Sequence, residues 1–309
     1  MAGSKPPWIK VRLPTGERQA RFNRVRERAR TLRLHTVCEE AHCPNIGECW
    51  GGGTATFMVM GDICTRGCRF CAVNTRRLGA PLDPDEPANV ARAIAEMELD
   101  YVVLTSVDRD DLPDQGAAHF AACVQEIRRQ SPGTMVEVLI PDFRGQTPLL
   151  DRVVESAPTV IAHNIETVRR LTPKVRDPRA GYDQSLAVLA HLKARTPGGY
   201  TKSSIMVGVG ETTEEVVEAM QDLRRVGVDF LTIGQYLRPT EKHLDVEFFV
   251  TPETFADYER VGLELGFTYV ASGPLVRSSY KAGEFFIAQH IRSRQESAGG
   301  TWTAESTAS

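Results

Sequence analysis

The stretch Met60-Gly-Asp-Ile-Cys64-Thr-Arg-Gly-Cys68-Arg-Phe-Cys71 decides how this chain is interpreted. Its three cysteines are spaced C-x3-C-x2-C and follow an apolar run at 57–60 that is typical of a buried strand. Thiolates in a compact loop are the usual ligands of iron–sulfur clusters. This loop offers three of the four ligands that a four-iron cluster takes, so one iron is left for a ligand that is not protein. A structural zinc loop is the alternative, but zinc loops usually pair C-x2-C with a second such pair.

A second cysteine triplet precedes the first. Cys38, Cys43 and Cys49 are spaced C-x4-C-x5-C, which again suits one metal cluster. The proline and glycine in this segment predict a loop rather than a helix that merely buries the thiols. Because Gly51-Gly-Gly53 and the apolar run separate the two triplets, two separate clusters are a simpler interpretation than one shared metal.

Composition indicates an ordinary globular protein in a reducing compartment. The 309 residues are 41% hydrophobic and 25% charged, with seven cysteines, no signal-peptide core and no transmembrane run. We therefore expect a cytoplasmic protein whose thiols bind metal rather than form disulfides. The net charge of −3 hides a basic arm before residue 38. Its helical pattern at 21–33 indicates a solvated helix face, with docking of an acidic protein or of nucleic acid as the alternatives.

From residue 55 onward, short apolar strands alternate with amphipathic helices. Strands rich in β-branched residues, each followed by a helix, predict parallel βαβ units and an α/β fold. Six such units predict a partial (β/α)6 TIM-like barrel, whose reactive groups sit where strands end. We expect an N-terminal extension at 1–54, the barrel at 55–272, and a C-terminal extension at 273–309 that ends in a disordered tail. The predicted strands are 55–60, 100–105, 134–140, 159–163, 202–207 and 228–235, and the predicted helices are 87–98, 116–130, 147–157, 182–195, 212–226 and 252–265.

The cysteine loop, with Phe70 before its third cysteine, resembles the signature of the radical S-adenosylmethionine (SAM) superfamily. Both triplets together resemble the lipoyl synthase family, and the likeness extends over about residues 11–287. The further motifs that carry it are Thr105-Ser-Val-Asp-Arg-Asp-Asp-Leu112, His163-Asn-Ile-Glu-Thr-Val168, Tyr182, Lys202-Ser203, Gln235-Tyr-Leu-Arg-Pro-Thr240 and Arg277-Ser-Ser-Tyr280.

The resemblance implies a reaction that inserts two sulfur atoms at C6 and C8 of an octanoyl chain on a carrier-protein lysine. These carbons are unactivated, so their hydrogens must be removed by a radical cofactor. The family pattern implies that Cys64, Cys68 and Cys71 hold a [4Fe-4S] cluster that reductively cleaves SAM. It also implies that Cys38, Cys43 and Cys49 hold an auxiliary [4Fe-4S] cluster that donates the sulfur.

The resemblance also assigns further site residues. The serine of the Arg-Ser-Ser-Tyr motif, which we place at Ser279 rather than Ser278, is implied as a fourth ligand of the auxiliary cluster. An oxygen ligand is harder than thiolate, which suits a cluster that comes apart. The implied SAM contacts are Phe70, Thr105, Ser106, Asn164, Glu166, Arg176, Met206, Gln235 and Leu237.

The implied partners are octanoylated carrier domains, namely the glycine-cleavage H protein and the 2-oxoacid dehydrogenase E2 subunit. The other implied partners are a reductant such as ferredoxin or flavodoxin and a cluster-repair protein. Neither nucleic acid nor a membrane is expected as a partner. The alternatives are another radical SAM sulfur-insertion enzyme, of the biotin synthase or methylthiotransferase kind, and a non-catalytic iron–sulfur carrier. Two features are assigned to structure: Cys123 as a core residue, and Asp108, Asp110 and Asp111 as ion-paired or turn-capping groups rather than a divalent cation site.

Overall fold

The computed structural model describes residues 6–9, 14–32, 34–40, 43–279 and 287–293. The chain forms one large, mostly parallel sheet with helices against it. The strands are β1 His35–Thr36, β2 Thr54–Val59, β3 Ile63–Cys64, β4 Asn74–Thr75, β5 Tyr101–Ser106, β6 Met135–Leu139, β7 Val160–Ala162, β8 Tyr200–Val207, β9 Phe230–Gln235 and β10 Tyr269–Gly273.

The helices follow the predicted order. The α-helices are α1 Glu17–Thr31, α2 Val37–Glu40, α3 Ile46–Gly51, α4 Glu86–Glu96, α5 Ala117–Gln130, α6 Thr147–Glu155, α7 Thr172–Val175, α8 Tyr182–Arg195, α9 Thr213–Arg225 and α10 Pro252–Glu264, with 3-10 turns at Phe143–Gly145 and Arg169–Leu171. All six predicted strands and all six predicted barrel helices are present, within two residues at every boundary. Residues 287–293 are also helical.

The main sheet runs β1-β2-β5-β6-β7-β8-β9-β10. Every neighbouring pair is parallel except β1 with β2. Within the described ranges the sheet does not close on itself, so the predicted partial barrel is confirmed. The pattern did not predict β10, because this short strand ends in glycine and no helix of the barrel type follows it.

The amino-terminal ends of the strands are filled with apolar side chains. Aromatic and aliphatic residues from the first positions of the strands pack against the helix at 287–293, which covers this end of the barrel. The cluster consists of Tyr101, Val103, Met135, Val160, Tyr200, Phe230, Tyr269, Ile287, Ala288 and Ile291. With one end sealed, the carboxyl ends of the strands are left for a site, as in other α/β barrels.

Two expectations for the N-terminal extension were wrong. The basic helix begins at Glu17 rather than residue 21, because Gly16 has a non-helical φ of 58° and no helix breaker follows it. The upstream triplet is not a simple loop, since Cys38 lies in α2 and Cys49 in α3, and both are buried. Their packing against the core stabilises helices of only four and six residues. Apart from residue 293, the predicted disordered tail beyond about 292 lies outside the described residues.

Candidate active site

The loop of Cys64, Cys68 and Cys71 begins where β2 ends. Met60 has a positive φ of 69° and Gly61 one of 83°, so the chain turns sharply as it leaves the sheet. The loop then folds back on itself, and β3 pairs with β4 in parallel. The predicted position of the cysteine loop at a strand's carboxyl end is therefore the position found.

Neighbouring loops clamp the cysteine loop through its backbone. The Gly67 N–H donates to Asp177 at 2.9 Å, and the Arg69 N–H donates to the Val175 carbonyl at 2.9 Å. On the other side, the His243 Nε2–H donates to the Cys71 carbonyl at 2.9 Å. Residues after β7 and β9 thus fix a loop that follows β2, which is how a barrel makes one site from distant segments.

A buried arginine of the same loop forms ion pairs with aspartates of neighbouring segments. Arg66 makes ion pairs with Asp110 and Asp142 at 2.8 Å and with Asp108 at 3.3 Å. Burial would raise the pKa of Asp110, but the hydrogen bonds from Arg66 and Arg144 outweigh it and bring the pKa to about 2. Asp108 and Asp110 therefore form ion pairs, as predicted, and Asp111 pairs with Arg109 at 2.9 Å.

The three thiols of the loop are all shielded from solvent. Burial raises the pKa of Cys64 and of Cys68 to about 12, and it raises the pKa of Cys71 as well. The Cys64 Sγ donates to Asp108 Oδ2 at 3.6 Å. None of the three forms a disulfide. In the absence of a metal they are neutral thiols, whereas a bound cation would favour the thiolate form.

Several predicted SAM contacts gather at the carboxyl ends of β5 and β7. Thr105 is buried, and its Oγ1 donates to the Leu139 carbonyl at 2.9 Å. The Ser106 Oγ is buried without a hydrogen-bond partner. The Asn164 Nδ2 donates to Glu166 Oε1 at 3.1 Å, while Asn164 Oδ1 is buried and unpaired. Such orphaned polar atoms are costly unless a ligand satisfies them.

Four further predicted contacts are Glu166, Arg176, Met206 and Phe70. Burial raises the pKa of Glu166, which has a positive φ of 66°, although the Arg176 charge opposes the shift. The Arg176 Nη1 donates to Ser185 Oγ at 2.8 Å. Met206 is half-buried, and its backbone N–H donates to the Glu166 carbonyl at 2.8 Å. Phe70 is partly buried against the apolar cluster on the β8–β9 side.

The side chain of Gln235 is hydrogen-bonded to the backbone of neighbouring segments. Its Nε2 donates to the carbonyls of Val207 at 3.2 Å and Phe248 at 3.1 Å, and its Oε1 accepts from the Val250 N–H at 2.8 Å. This amide holds the segment that follows β9, which leads to the half-buried Leu237. A role for Gln235 in binding SAM stays a prediction, and its side chain is already hydrogen-bonded to the backbone.

The upstream triplet lies against the C-terminal segment. The Asn45 Nδ2 donates to the Leu275 carbonyl at 2.6 Å, and Arg277 lies close enough to Cys43 to oppose the rise that burial causes in the thiol's pKa. A Cβ on Gly234 would clash with the Val276 carbonyl, so this segment also crosses the end of β9. The Arg-Ser-Ser motif is thus brought to the triplet from more than two hundred residues away.

Ser279 is half-buried in this crossing segment, two residues from Arg277. Its ligation of the auxiliary site stays a prediction, and Tyr280 of the same motif is outside the described residues. Sequence reasoning missed the supporting residues Asp177 and His243. Neither residue falls within a recognised motif. His243 follows the Gln235–Thr240 motif by three residues, and this was the one signal in the sequence that could have indicated it.

The residues present fit a cluster and SAM. Three soft thiols with no disulfide suit iron. The Asn164 Oδ1 is a buried acceptor without a partner, and the Ser106 Oγ is a buried hydroxyl without one. Amino and hydroxyl groups of a bound ligand would satisfy both.

Comparison with known proteins agrees with this geometry. The model of the radical SAM superfamily matches residues 58–223, and that of the N-terminal domain of lipoyl synthase matches residues 3–43. A lipoyl synthase of Anaeromyxobacter dehalogenans is 60% identical over 95% of this chain and 99% of its own length. The chain belongs to the lipoyl synthase family. It is a radical SAM enzyme, and its family implies a [4Fe-4S] cluster and SAM as cofactors.

Other relatives extend the comparison. The lipoyl synthase of Thermus thermophilus is 59% identical over 92% of this chain and 87% of its own. The mitochondrial lipoyl synthase of Branchiostoma floridae is 57% identical over 95% and 78%. Among solved structures, methylornithine synthase (PylB) aligns over 90% of this chain and 92% of its own, with a TM-score of 0.52 and 15% identity. That likeness shows the fold alone. No helix in the described part of the chain is long and apolar enough to cross a membrane.

Proposed function

We propose that this chain inserts two sulfur atoms, at C6 and C8, into an octanoyl chain that is amide-linked to a lysine of a carrier protein. The observation that carries the proposal is the pair of cysteine triplets in a chain of the lipoyl synthase family. One triplet lies at the carboxyl end of β2, and the other is packed against the crossing C-terminal segment. A non-catalytic iron–sulfur carrier needs neither two triplets nor a barrel.

The first cluster is held by Cys64, Cys68 and Cys71. When bound there, the cluster and SAM supply a radical able to take hydrogen from an unactivated carbon. The protein's own contribution is to hold and orient. The loops after β7 and β9 fix the cysteine loop, and Ser106 and Asn164 supply buried polar atoms that have no partner within the described residues. The residues that we propose to contact SAM are Phe70, Thr105, Ser106, Asn164, Glu166, Arg176, Met206, Gln235 and Leu237.

The second cluster is the proposed source of sulfur, with Cys38, Cys43 and Cys49 as its ligands and Ser279 as the fourth. A serine oxygen is a harder ligand than thiolate and a weak partner for iron held otherwise by sulfur. The charge of Arg277 opposes the rise that burial causes in the pKa of Cys43, and this supports the assignment because Arg277 belongs to the serine motif. A weak fourth ligand suits a cluster that is consumed and then rebuilt.

The proposed partners follow from the reaction. Octanoylated lipoyl carriers, such as the glycine-cleavage H protein and the E2 subunits of 2-oxoacid dehydrogenases, are the substrates. A ferredoxin or flavodoxin supplies electrons, and a repair protein rebuilds the spent cluster. We also propose a cytoplasmic location, and a division of the chain into extensions at 1–54 and 273–309 around a catalytic barrel at 55–272.

The first experiment counts iron and sulfide per chain after anaerobic reconstitution, followed by a single turnover with an octanoylated carrier and SAM. We expect about eight iron atoms per chain, the content of two four-iron clusters, and sulfur on the octanoyl group. About four iron atoms, with SAM cleaved and no sulfur transferred, would mean that the upstream triplet is not the sulfur source.

Two cysteine variants separate the two sites. Cys64→Ala should abolish SAM cleavage, because the cluster that binds SAM is lost. Cys43→Ala should leave part of the SAM cleavage while sulfur insertion disappears. Cys123→Ala is the matched control, since this free cysteine is buried in α5 and belongs to neither triplet. Equal loss of SAM cleavage in the two triplet variants, with folding intact, would contradict separate roles.

A further inference from the structure

The segment that follows the cysteine loop brings the protein surface next to the cluster ligands. Cys64 in β3 pairs with Thr75 in β4, and the Arg76 N–H donates to the Cys64 carbonyl at 3.0 Å. Thr75 therefore lies about one strand spacing, ~4.8 Å, from the first cysteine, and residues 76–78 follow it directly along the chain. They are all exposed.

An open groove lies beside this segment. Its volume is about 390 Å³. Leu78 lies at its edge and is 70% exposed. Among the large apolar side chains in the described ranges, this is the highest exposure. Thr65, from the cysteine loop itself, also lines the groove. The remaining lining residues are Arg77, Asp110, Asp111, Arg144 and Arg179.

The groove has buried negative charges and exposed positive ones. Asp110 and Asp111 are buried at 4% and 7% side-chain exposure and are bound by arginines. The arginine heads above them are open to solvent, with Arg144 at 46% and Arg179 at 41%. Arg76 and Arg77 are exposed, and within the described ranges neither has an ion pair. An approaching partner therefore meets positive charge around an exposed leucine.

We propose that this arginine-rimmed groove, together with Leu78 and Arg76, docks the acidic one-electron carrier protein that reduces the enzyme. The inference rests on the proposed function, because SAM cleavage consumes one electron and the chain's own residues supply none. The carrier protein is oxidised by one electron, which enters the site held by Cys64, Cys68 and Cys71. A donor must approach that site closely, and this is the surface one strand away from it.

The groove fits the reductant better than the octanoylated carrier. The octanoyl chain must reach the radical, beside the residues proposed to contact SAM. None of the groove's lining residues is among those proposed contacts. A partner that transfers only an electron needs proximity and complementary charge, and it does not need to enter the barrel.

The test compares two reductants on the reconstituted enzyme. Oxidation of a reduced, negatively charged flavodoxin is followed by stopped-flow absorbance with the wild type and with the double variant Arg76→Glu/Arg77→Glu. We expect the second-order rate constant to fall on the order of tenfold at low salt, and to lose most of its salt dependence. SAM cleavage driven by dithionite, which needs no docking, should be unchanged. Leu78→Ser should lower the flavodoxin rate with a smaller change in salt dependence.

Controls separate this idea from the others. Arg92→Glu, on the exposed face of α4, should match the wild type where the double variant does not. An unchanged flavodoxin rate in the double variant would overturn the proposal, and so would an equal loss with dithionite. A raised KM for the octanoylated carrier under dithionite would reassign the groove to that partner. Failure of the wild type to cleave SAM with dithionite would instead refute the proposed function.

Discussion

At the scale of single residues, His243 shows how the site depends on groups that bind no cofactor. Its Nε2–H donates to the Cys71 carbonyl, and Nδ1 lies 2.9 Å from the Thr240 hydroxyl, which orients the ring. The next residue, Leu244, donates its backbone N–H to the Arg69 carbonyl at 3.2 Å. The turn that carries the third cysteine is therefore fixed by a segment about 170 residues away.

Loss of this hydrogen bond should loosen the cluster. We predict that His243→Ala raises the rate of iron release to a chelator roughly tenfold, the scale on which groups behind a metal ligand act. His243→Gln should restore much of the retention, because its amide can donate to the same carbonyl. His191→Ala is the control, as His191 pairs with Asp151 at 2.8 Å on α8 and α6. Iron release at the wild-type rate in His243→Ala would show that the bond is dispensable.

At the scale of elements, α1 combines a packed face with a charged one. Val25 and Ala29 are buried, and Phe22 packs against Trp50 of α3 with a ring separation of 5.4 Å. Since α3 also carries Cys49, α1 supports the upstream triplet. The arginines on the other face are mostly exposed, although Arg28 lies 3.4 Å from Glu96. These charges are available to an acidic partner.

If α1 docks the carrier domain, reversal of one exposed charge will show it. We predict that Arg24→Glu raises the KM for an octanoylated carrier protein severalfold, by the loss of long-range attraction. The KM for a short octanoyl-lysine peptide should stay the same, because the peptide is too small to reach the helix. Measurement of both constants at low and high salt gives the answer. Equal effects on the two substrates would return this face to the role of a solvated surface.

At the scale of the whole molecule, a buried ion pair ties the barrel together from inside. The Lys202 Nζ donates to both oxygens of Glu137, at 2.7 and 2.9 Å, and the Tyr101 hydroxyl donates to Glu137 at 2.6 Å. Both charged side chains are at most 2% exposed. The pair links β5, β6 and β8 in the space below the site.

Removal of one partner of this pair should lower the free energy of unfolding more than replacement of both partners. Removal of one partner leaves an uncompensated buried charge, so Lys202→Met should lower the free energy of unfolding by about 3–5 kcal/mol. The double variant Lys202→Met/Glu137→Gln should recover part of that loss. Chemical denaturation of the apoprotein, which avoids any contribution from metal, measures both. A double variant as unstable as the single one would show that packing, rather than charge, sets the stability here.

The local pattern predicted most of the secondary structure, and the two proposed ligand sets also come from it. The alternation of strands and helices predicted six βα units because each signal lies within about fifteen residues. Gly16 shows the limit of such signals, since the start of α1 was misplaced by four residues. Cys38 and Cys49 show another, because their short helices exist only through packing against the core.

What the tertiary structure alone decided is which distant residues meet. Asp177 and His243 reach the cysteine loop, Asn45 donates to the Leu275 carbonyl, and β10 completes the sheet. None of these contacts leaves a periodic trace in the sequence, because each joins segments separated by many tens of residues. The sequence by itself named the thiols and the order of the elements. The residues that support the cysteine loop reach it because parallel strands bring their carboxyl ends together, and that is a property of the folded sheet.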